Sequence, residues 1–138
     1  MMQRLLCVDD EPFILTSLQR SFRNEGYELF FAASGGEALE IMERVTPIQV
    51  VLSDFQMPGM NGLDFIRLVK ANRPQVVCII LTGYADLRQL ASALNERCIF
   101  DLVHKPWDRA VLRRTVARAM RQYEIDAAAC AAVVDAGK

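Results

Sequence analysis

The sequence is poor in the residues from which most zinc and redox sites are built. It has one histidine, His104, and four scattered cysteines, Cys7, Cys78, Cys98 and Cys130, with no C-x-x-C pair among them. Three of these cysteines read as small buried hydrophobes. No apolar run approaches the roughly 20 residues that span a bilayer, and the first residues turn acidic at Asp9-Asp10 too early for a signal peptide. Neither sign of charge dominates, the net being -1, so nothing calls for nucleic acid as a direct partner. A cytoplasmic location without membrane contact is expected. What is present is apolar mass: 52% of the 138 residues are hydrophobic and 24% charged. A chain of this length and composition predicts one globular domain that buries roughly two-thirds of its unfolded surface.

The pattern turns on the stretch from Ile48 to Gly62. Ile48 to Leu52 is a short β-branched apolar run of the kind found in a strand buried on both faces, and it stops at Asp54. Pro58, Gly59, Asn61 and Gly62 follow as turn chemistry that leads into a helical pattern. Asp54 is therefore expected at the carboxyl end of a central strand, where open α/β sheets keep their ligands. An ordinary turn or helix-capping aspartate fits this stretch equally well when it is taken alone.

The same grammar repeats along the chain. Leu5 to Val8 is an apolar run ended by Asp9-Asp10-Glu11-Pro12, and Ile14, Leu15, Leu18 and Phe22 mark one face of the helix that Pro12 opens. Tyr27 to Ala33 reads as a strand, and Ser34 to Glu37 has capping-box spacing ahead of Ala38, Ile41, Met42 and Val45. Leu63, Phe65, Ile66 and Val69 predict a third helix, and Val76 to Leu81 a buried strand ending in Thr82-Gly83. Leu87, Leu90, Ala91 and Leu94 predict a fourth helix. Cys98 to Val103 reads as a weaker strand ending at His104-Lys105-Pro106. A last helix from about Trp107 is expected to bury Val111, Leu112, Val116, Ala119, Met120 and Tyr123, with Arg113, Arg114, Arg118 and Arg121 largely opposite.

Five strands alternating with five helices predict a three-layer α/β fold, a parallel sheet between helices. In the flavodoxin-like order 2-1-3-4-5 the ligand crevice lies at the ends of the first and third strands, which are those ending in Asp9-Asp10 and Asp54. Carboxylates gathered at one edge repel unless a cation sits among them. Oxygen ligands without a nearby imidazole or thiolate select a hard divalent ion such as Mg²⁺. A metal, a carboxylate nucleophile, the Thr82 hydroxyl and the Lys105 ammonium are together what phosphoryl transfer to an aspartate requires.

Four motifs, Val8-Asp9-Asp10-Glu11-Pro12, Ser53 to Gly62, Leu81-Thr82-Gly83-Tyr84-Ala85 and Lys105-Pro106, occur in order on the expected strand ends. In these the chain resembles the CheY-like receiver domain of two-component response regulators, over about residues 4–123. The resemblance implies that Asp54 is phosphorylated by a sensor histidine kinase or phosphotransfer protein, and that the domain catalyses only its own phosphorylation and dephosphorylation. It implies Mg²⁺ held by Asp10, Asp54 and the Gln56 backbone carbonyl, with Asp9 acting through water and Mn²⁺ able to substitute. Thr82, the Gly83 N–H and Lys105 would bind phosphoryl oxygens, Pro106 would follow a cis peptide bond, and Gln56 and Tyr84 would tune the lifetime of the aspartyl phosphate. A face made of the fourth helix, fifth strand and fifth helix would control a partner or a fused output domain outside this chain.

One position departs from the family. The switch site, usually Tyr or Phe, is Leu102 here; Phe100 is expected on the same strand face by the period of two, and Tyr84 is an alternative source of a ring. His104, neighbouring Lys105 on a strand, is expected to point away from the site. Leu112, Val116, Ala119, Tyr123, Ala127, Cys130 and Val134 form an apolar line at steps of 4, 3, 4, 4, 3 and 4. Residues 124–138 are thus expected either to extend the last helix as a coiled coil between two protomers, leading to an output domain, or to form a frayed tail. The Leu81 to Asp86 and Lys105 to Asp108 stretches also resemble receivers fused to enzymatic outputs such as cyclic-dinucleotide phosphodiesterases. A constitutive dimerisation module with this architecture remains the competing reading. An aspartyl-phosphate phosphohydrolase is disfavoured, because such enzymes place a second Asp where Gln56 stands.

Overall fold

A computed structural model describes residues 2–136, with the side chains of residues 84, 92 and 132–136 outside that description. The strands are β1 (Arg4–Val8), β2 (Glu28–Ala32), β3 (Val50–Asp54), β4 (Val77–Thr82) and β5 (Asp101–His104). The helices are α1 (Pro12–Phe22), α2 (Gly35–Arg44), α3 (Gly62–Asn72), α4 (Leu87–Asn95) and α5 (Arg109–Ala136), with a 3₁₀ turn at Tyr84–Asp86 before α4. All strand pairs are parallel and their order is β2-β1-β3-β4-β5. This is the expected doubly wound sheet.

Alternation along the strands builds a core on each face. Leu6, Val8, Val51, Cys78 and Ile80 point to one side, where Ala38, Ile41 and Met42 of α2, Phe65, Ile66 and Val69 of α3, and Leu90 and Ala93 of α4 cover them. Leu5, Cys7, Val50, Leu52, Ile79 and Leu81 point to the other, against Leu18 and Phe22 of α1 and Leu112, Val116, Ala119 and Met120 of α5. Because both faces are covered, β3 and β4 are buried along their whole length. Burial pushes the Cys78 thiol up to about 12, so it serves as core and not as a thiolate.

The helix starts follow from local chemistry. Ser34 caps α2, its Oγ accepting from the Glu37 N–H at 3.1 Å, while the Glu37 carboxylate accepts from the Ala33 N–H at 3.3 Å. Asn61 caps α3 by accepting from the Asp64 N–H at 2.9 Å. The Asp108 carboxylate accepts from the Val111 N–H at 3.1 Å, which places the start of α5 two residues beyond Trp107.

Four expectations are corrected. Strand β5 begins only at Asp101: Arg97 adopts a φ of 63°, and the chain from Cys98 reaches the sheet just ahead of the strand, the Phe100 N–H donating to the Cys78 carbonyl of β4 at 2.7 Å. Phe100 therefore escapes the period of two and packs on the α1/α5 side, whereas Leu102 packs on the α2/α3/α4 side. Val111 is exposed at 47%, on the outer side of α5, while the adjacent Leu112 is fully buried. In α4, Ala93 is buried in place of Ala91, and Leu94 stands 40% exposed.

Candidate functional site

Register brings the candidate residues to one edge. Val8 pairs with Ser53, so Asp9 and Asp54 leave adjacent strands side by side. Asp54 pairs with Leu81 and Thr82 with His104, which sets Thr82 and Lys105 on the neighbouring strand ends. The carboxylate oxygens of Asp9, Asp10 and Asp54 lie within 4.8 Å of one another. Lys105 Nζ stands 2.9 Å from Asp54 Oδ1 and 3.1 Å from Asp9 Oδ2, bridging the two.

Asp9 is fully buried and Asp54 is 7% exposed, whereas Asp10 faces solvent. The second oxygen of Asp9 accepts from the Glu11 N–H at 2.9 Å. Three carboxylates against one ammonium leave the cluster short of positive charge. Burial raises the Asp54 carboxyl above its ordinary range; the Lys105 hydrogen bond opposes this and the Asp9 charge adds to it. Burial also acts to lower Lys105, but the hydrogen bond and charge of Asp54, joined by those of Asp9, outweigh it and leave the ammonium above its usual value. A cation among these oxygens would relieve the repulsion, and a set of carboxylates without imidazole or thiolate fits a hard divalent ion.

The Thr82 side chain is buried at the end of β4, and its hydroxyl donates to the Gly83 carbonyl at 3.0 Å. The Lys105 N–H donates to the Thr82 carbonyl at 2.9 Å, fixing the lysine turn to β4, and the Lys105–Pro106 peptide is cis. His104 is exposed at the end of β5. Leu102 is half-buried, and the Phe100 ring lies beneath the Arg118 guanidinium at 5.3 Å. Phe100 thus sits away from the face that Leu102 occupies. Tyr84 lies on the 3₁₀ turn, its side chain outside the described residues.

Two features escaped the sequence reading. Gly62 was legible only as turn chemistry, yet a Cβ there would meet the Asp54 carbonyl oxygen and come within 2.9 Å of Phe55 Cα. The Gly62 N–H donates to the Phe55 carbonyl at 2.8 Å, so α3 starts in direct contact with the backbone that presents Asp54. The Gln56 Nε2 donates to Asp86 Oδ1 at 2.8 Å, joining the loops after β3 and β4. No local pattern announces this pair, which is 30 residues apart in sequence.

The fold and site define a class: a doubly wound α/β domain with an acidic cluster and a lysine at the switch point of its sheet. The family model of the response regulator receiver domain matches residues 5–117, and the chain belongs to that family. Among curated relatives, the hydrogenase transcriptional regulatory protein HoxA of Cupriavidus necator is 33% identical over 84% of this chain and 24% of its own length. The DNA-binding transcriptional regulator NtrC of Escherichia coli is 35% identical over 85% of this chain, and again 24% of its own length. The chain therefore spans about a quarter of these relatives. Among solved structures, an adenylate cyclase from Rhodopirellula baltica superposes with a TM-score of 0.91 at 28% identity, covering 96% of this chain and 98% of that one. The signal receiver domain of an HD domain-containing protein from Pseudomonas fluorescens gives 0.84 at 29% identity, covering 90% and 98%.

Proposed function

We propose that this receiver is a switch operated by phosphorylation of Asp54. The observation that carries the reading is the Lys105 ammonium bridging Asp54 and Asp9 beside the buried Thr82. Transfer from a phosphohistidine breaks the donor's P–N bond as a P–O bond forms to Asp54, and the bonding pair leaves on the imidazole nitrogen. A carboxylate nucleophile carries no proton to remove, so no general base is needed and positioning supplies most of the catalysis. Asp10, Asp54 and the Gln56 carbonyl would hold Mg²⁺, or Mn²⁺ in its place, with Asp9 acting through water. Bound there, the ion offsets charge on the phosphoryl oxygens.

The phosphoryl group adds charge and acceptor oxygens next to Lys105. Lys105 pairs with one oxygen, and the Thr82 hydroxyl turns from the Gly83 carbonyl to another, beside the Gly83 N–H. Gln56 and Tyr84 border the path of a hydrolytic water and set the lifetime. Leu102 repacks as Thr82 moves, shifting the surface of α4, β5 and α5 toward the state that partners read. A swing from about 1:99 to 99:1 would require a difference of roughly 5.5 kcal/mol between the two states.

The donor is a sensor histidine kinase or phosphotransfer protein, and the chain acts on no separate substrate. The output resides in a fused domain or target outside this chain, reached through α5, whose 28 residues extend about 42 Å. Its last turns pair with those of a second protomer along Tyr123, Ala127 and Cys130. The curated relatives carry names of transcriptional regulators and one structural neighbour that of an adenylate cyclase, so either kind of output suits this receiver.

Intact mass after incubation with Mg²⁺ and a small acyl phosphate tests the reading. One phosphoryl group is expected on the wild type and none on Asp54→Asn. Equal gain in both would move the acceptor away from Asp54; no gain in the wild type, from the acyl phosphate or from phosphohistidine donors, would remove the switch.

A further inference from the structure

Asp86 closes the 3₁₀ turn Tyr84–Asp86 that runs directly into α4, its N–H donating to the Gly83 carbonyl at 3.3 Å, and it precedes α4 without capping it. Its backbone is helical, with φ of −96° and ψ of −4°, and its side chain makes no capping hydrogen bond. Ser34 and Asn61, at the corresponding positions of α2 and α3, have extended backbones, and each side chain accepts from a first-turn N–H. Aspartate is as good a capping residue as either. Here its carboxylate is diverted to the Gln56 amide.

Gln56 is two residues beyond Asp54, so the contact ties the start of α4 to the candidate phosphorylation site. We propose that Asp86 is a positioning residue with two alternative partners. In the unmodified chain it holds the Gln56 carboxamide, and α4 continues from the 3₁₀ turn with no side-chain cap from Asp86. When a phosphoryl group forms on Asp54, its oxygens compete with the Asp86 carboxylate for the Gln56 N–H groups, and its charge repels that carboxylate. The 3₁₀ turn then opens at Asp86, whose backbone takes the extended conformation of Ser34 and Asn61, and its carboxylate caps α4, ordering the helix on the face that partners read. The relay passes through the solvent-facing loops, and so works with leucine at position 102. It rests on the reading of Asp54 as the phosphoryl acceptor.

Hydrogen exchange in the first turn of α4, with phosphoryl content read by intact mass, tests the relay. Gln56→Ala frees Asp86 without any phosphoryl group, so first-turn amides should exchange roughly three- to tenfold more slowly than in the wild type. The double variant Gln56→Ala/Asp86→Ala should lose that gain. Phosphorylated wild type should show the same slowing, phosphorylated Asp86→Ala should not, and Asp86→Asn, which can still cap, should restore it. Unchanged exchange in Gln56→Ala, or equal slowing in phosphorylated wild type and Asp86→Ala, overturns the proposal. Absence of label on the wild type removes the acceptor reading and the relay with it, while the unmodified Gln56→Ala arm still decides whether the clasp withholds the cap.

Discussion

Asp54 is held in a setting that disfavours its charge until a cation arrives. Its carboxyl titrates above the ordinary carboxylate range because burial outweighs the Lys105 hydrogen bond. The metal-free folded chain therefore keeps this proton over a pH range in which the unfolded chain has released it. That contribution to stability is fully present below about pH 4, declines as pH rises through the folded value, and is flat above it. Asp54→Asn removes the decline. Urea midpoints of the two proteins without metal should diverge in favour of the variant as pH rises from about 4 toward neutrality. A gap that stays constant or closes would place Asp54 among ordinary carboxylates.

At the scale of elements, α3 and α5 carry the sharpest expectations. The start of α3 touches the backbone of Asp54 and Phe55, and a Cβ at Gly62 has no room there. Gly62→Ala should cost about 1–3 kcal/mol in urea unfolding and slow phosphorylation by displacing Asp54, whereas Gly59→Ala, with open space around it but a φ of 80°, should cost about 1 kcal/mol and leave labelling intact. Helix α5 buries Leu112, Val116, Ala119 and Met120 against the sheet, and its residues 124–131 are exposed. A chain ending after Tyr123 should keep its unfolding midpoint within a few degrees and sediment as a monomer. Self-association of the full chain that survives this truncation would move the dimer contact to another surface.

At the scale of the whole molecule, the proposed metal site would couple ion binding to folding through one cluster. Asp9, Asp10 and Asp54 leave two adjacent strand ends, so they converge only when β1 and β3 pair in register. An ion that binds this arrangement, and not the unfolded chain, should stabilise the fold by about 2.7 kcal/mol at a hundredfold excess over its dissociation constant. Thermal unfolding with and without Mg²⁺ should show the shift in the wild type, with most of it lost in Asp10→Asn. Equal shifts in the two would assign the effect to nonspecific binding.

Most of the architecture was legible because it rests on local rules. Apolar runs ending in acid, a capping box at Ser34 and turn residues after Asp54 set the elements and their order, and the four strand-end motifs marked Asp9, Asp10, Asp54, Thr82 and Lys105. Local rules failed where a neighbour decided the outcome. The left-handed turn at Arg97 shortened β5 and carried Phe100 to the opposite face, which the period of two could not anticipate once the residue lay outside the strand. The crowding at Gly62 comes from the backbone eight residues earlier, and the Gln56–Asp86 contact from two loops that meet only across the assembled sheet edge. Sequence determined which residues could form each strand, helix and turn, since those preferences act within a few residues. Tertiary structure decided which side chains share a face, which glycine has no room for a Cβ and which carboxylate is diverted from its helix, because each depends on atoms brought close only by folding.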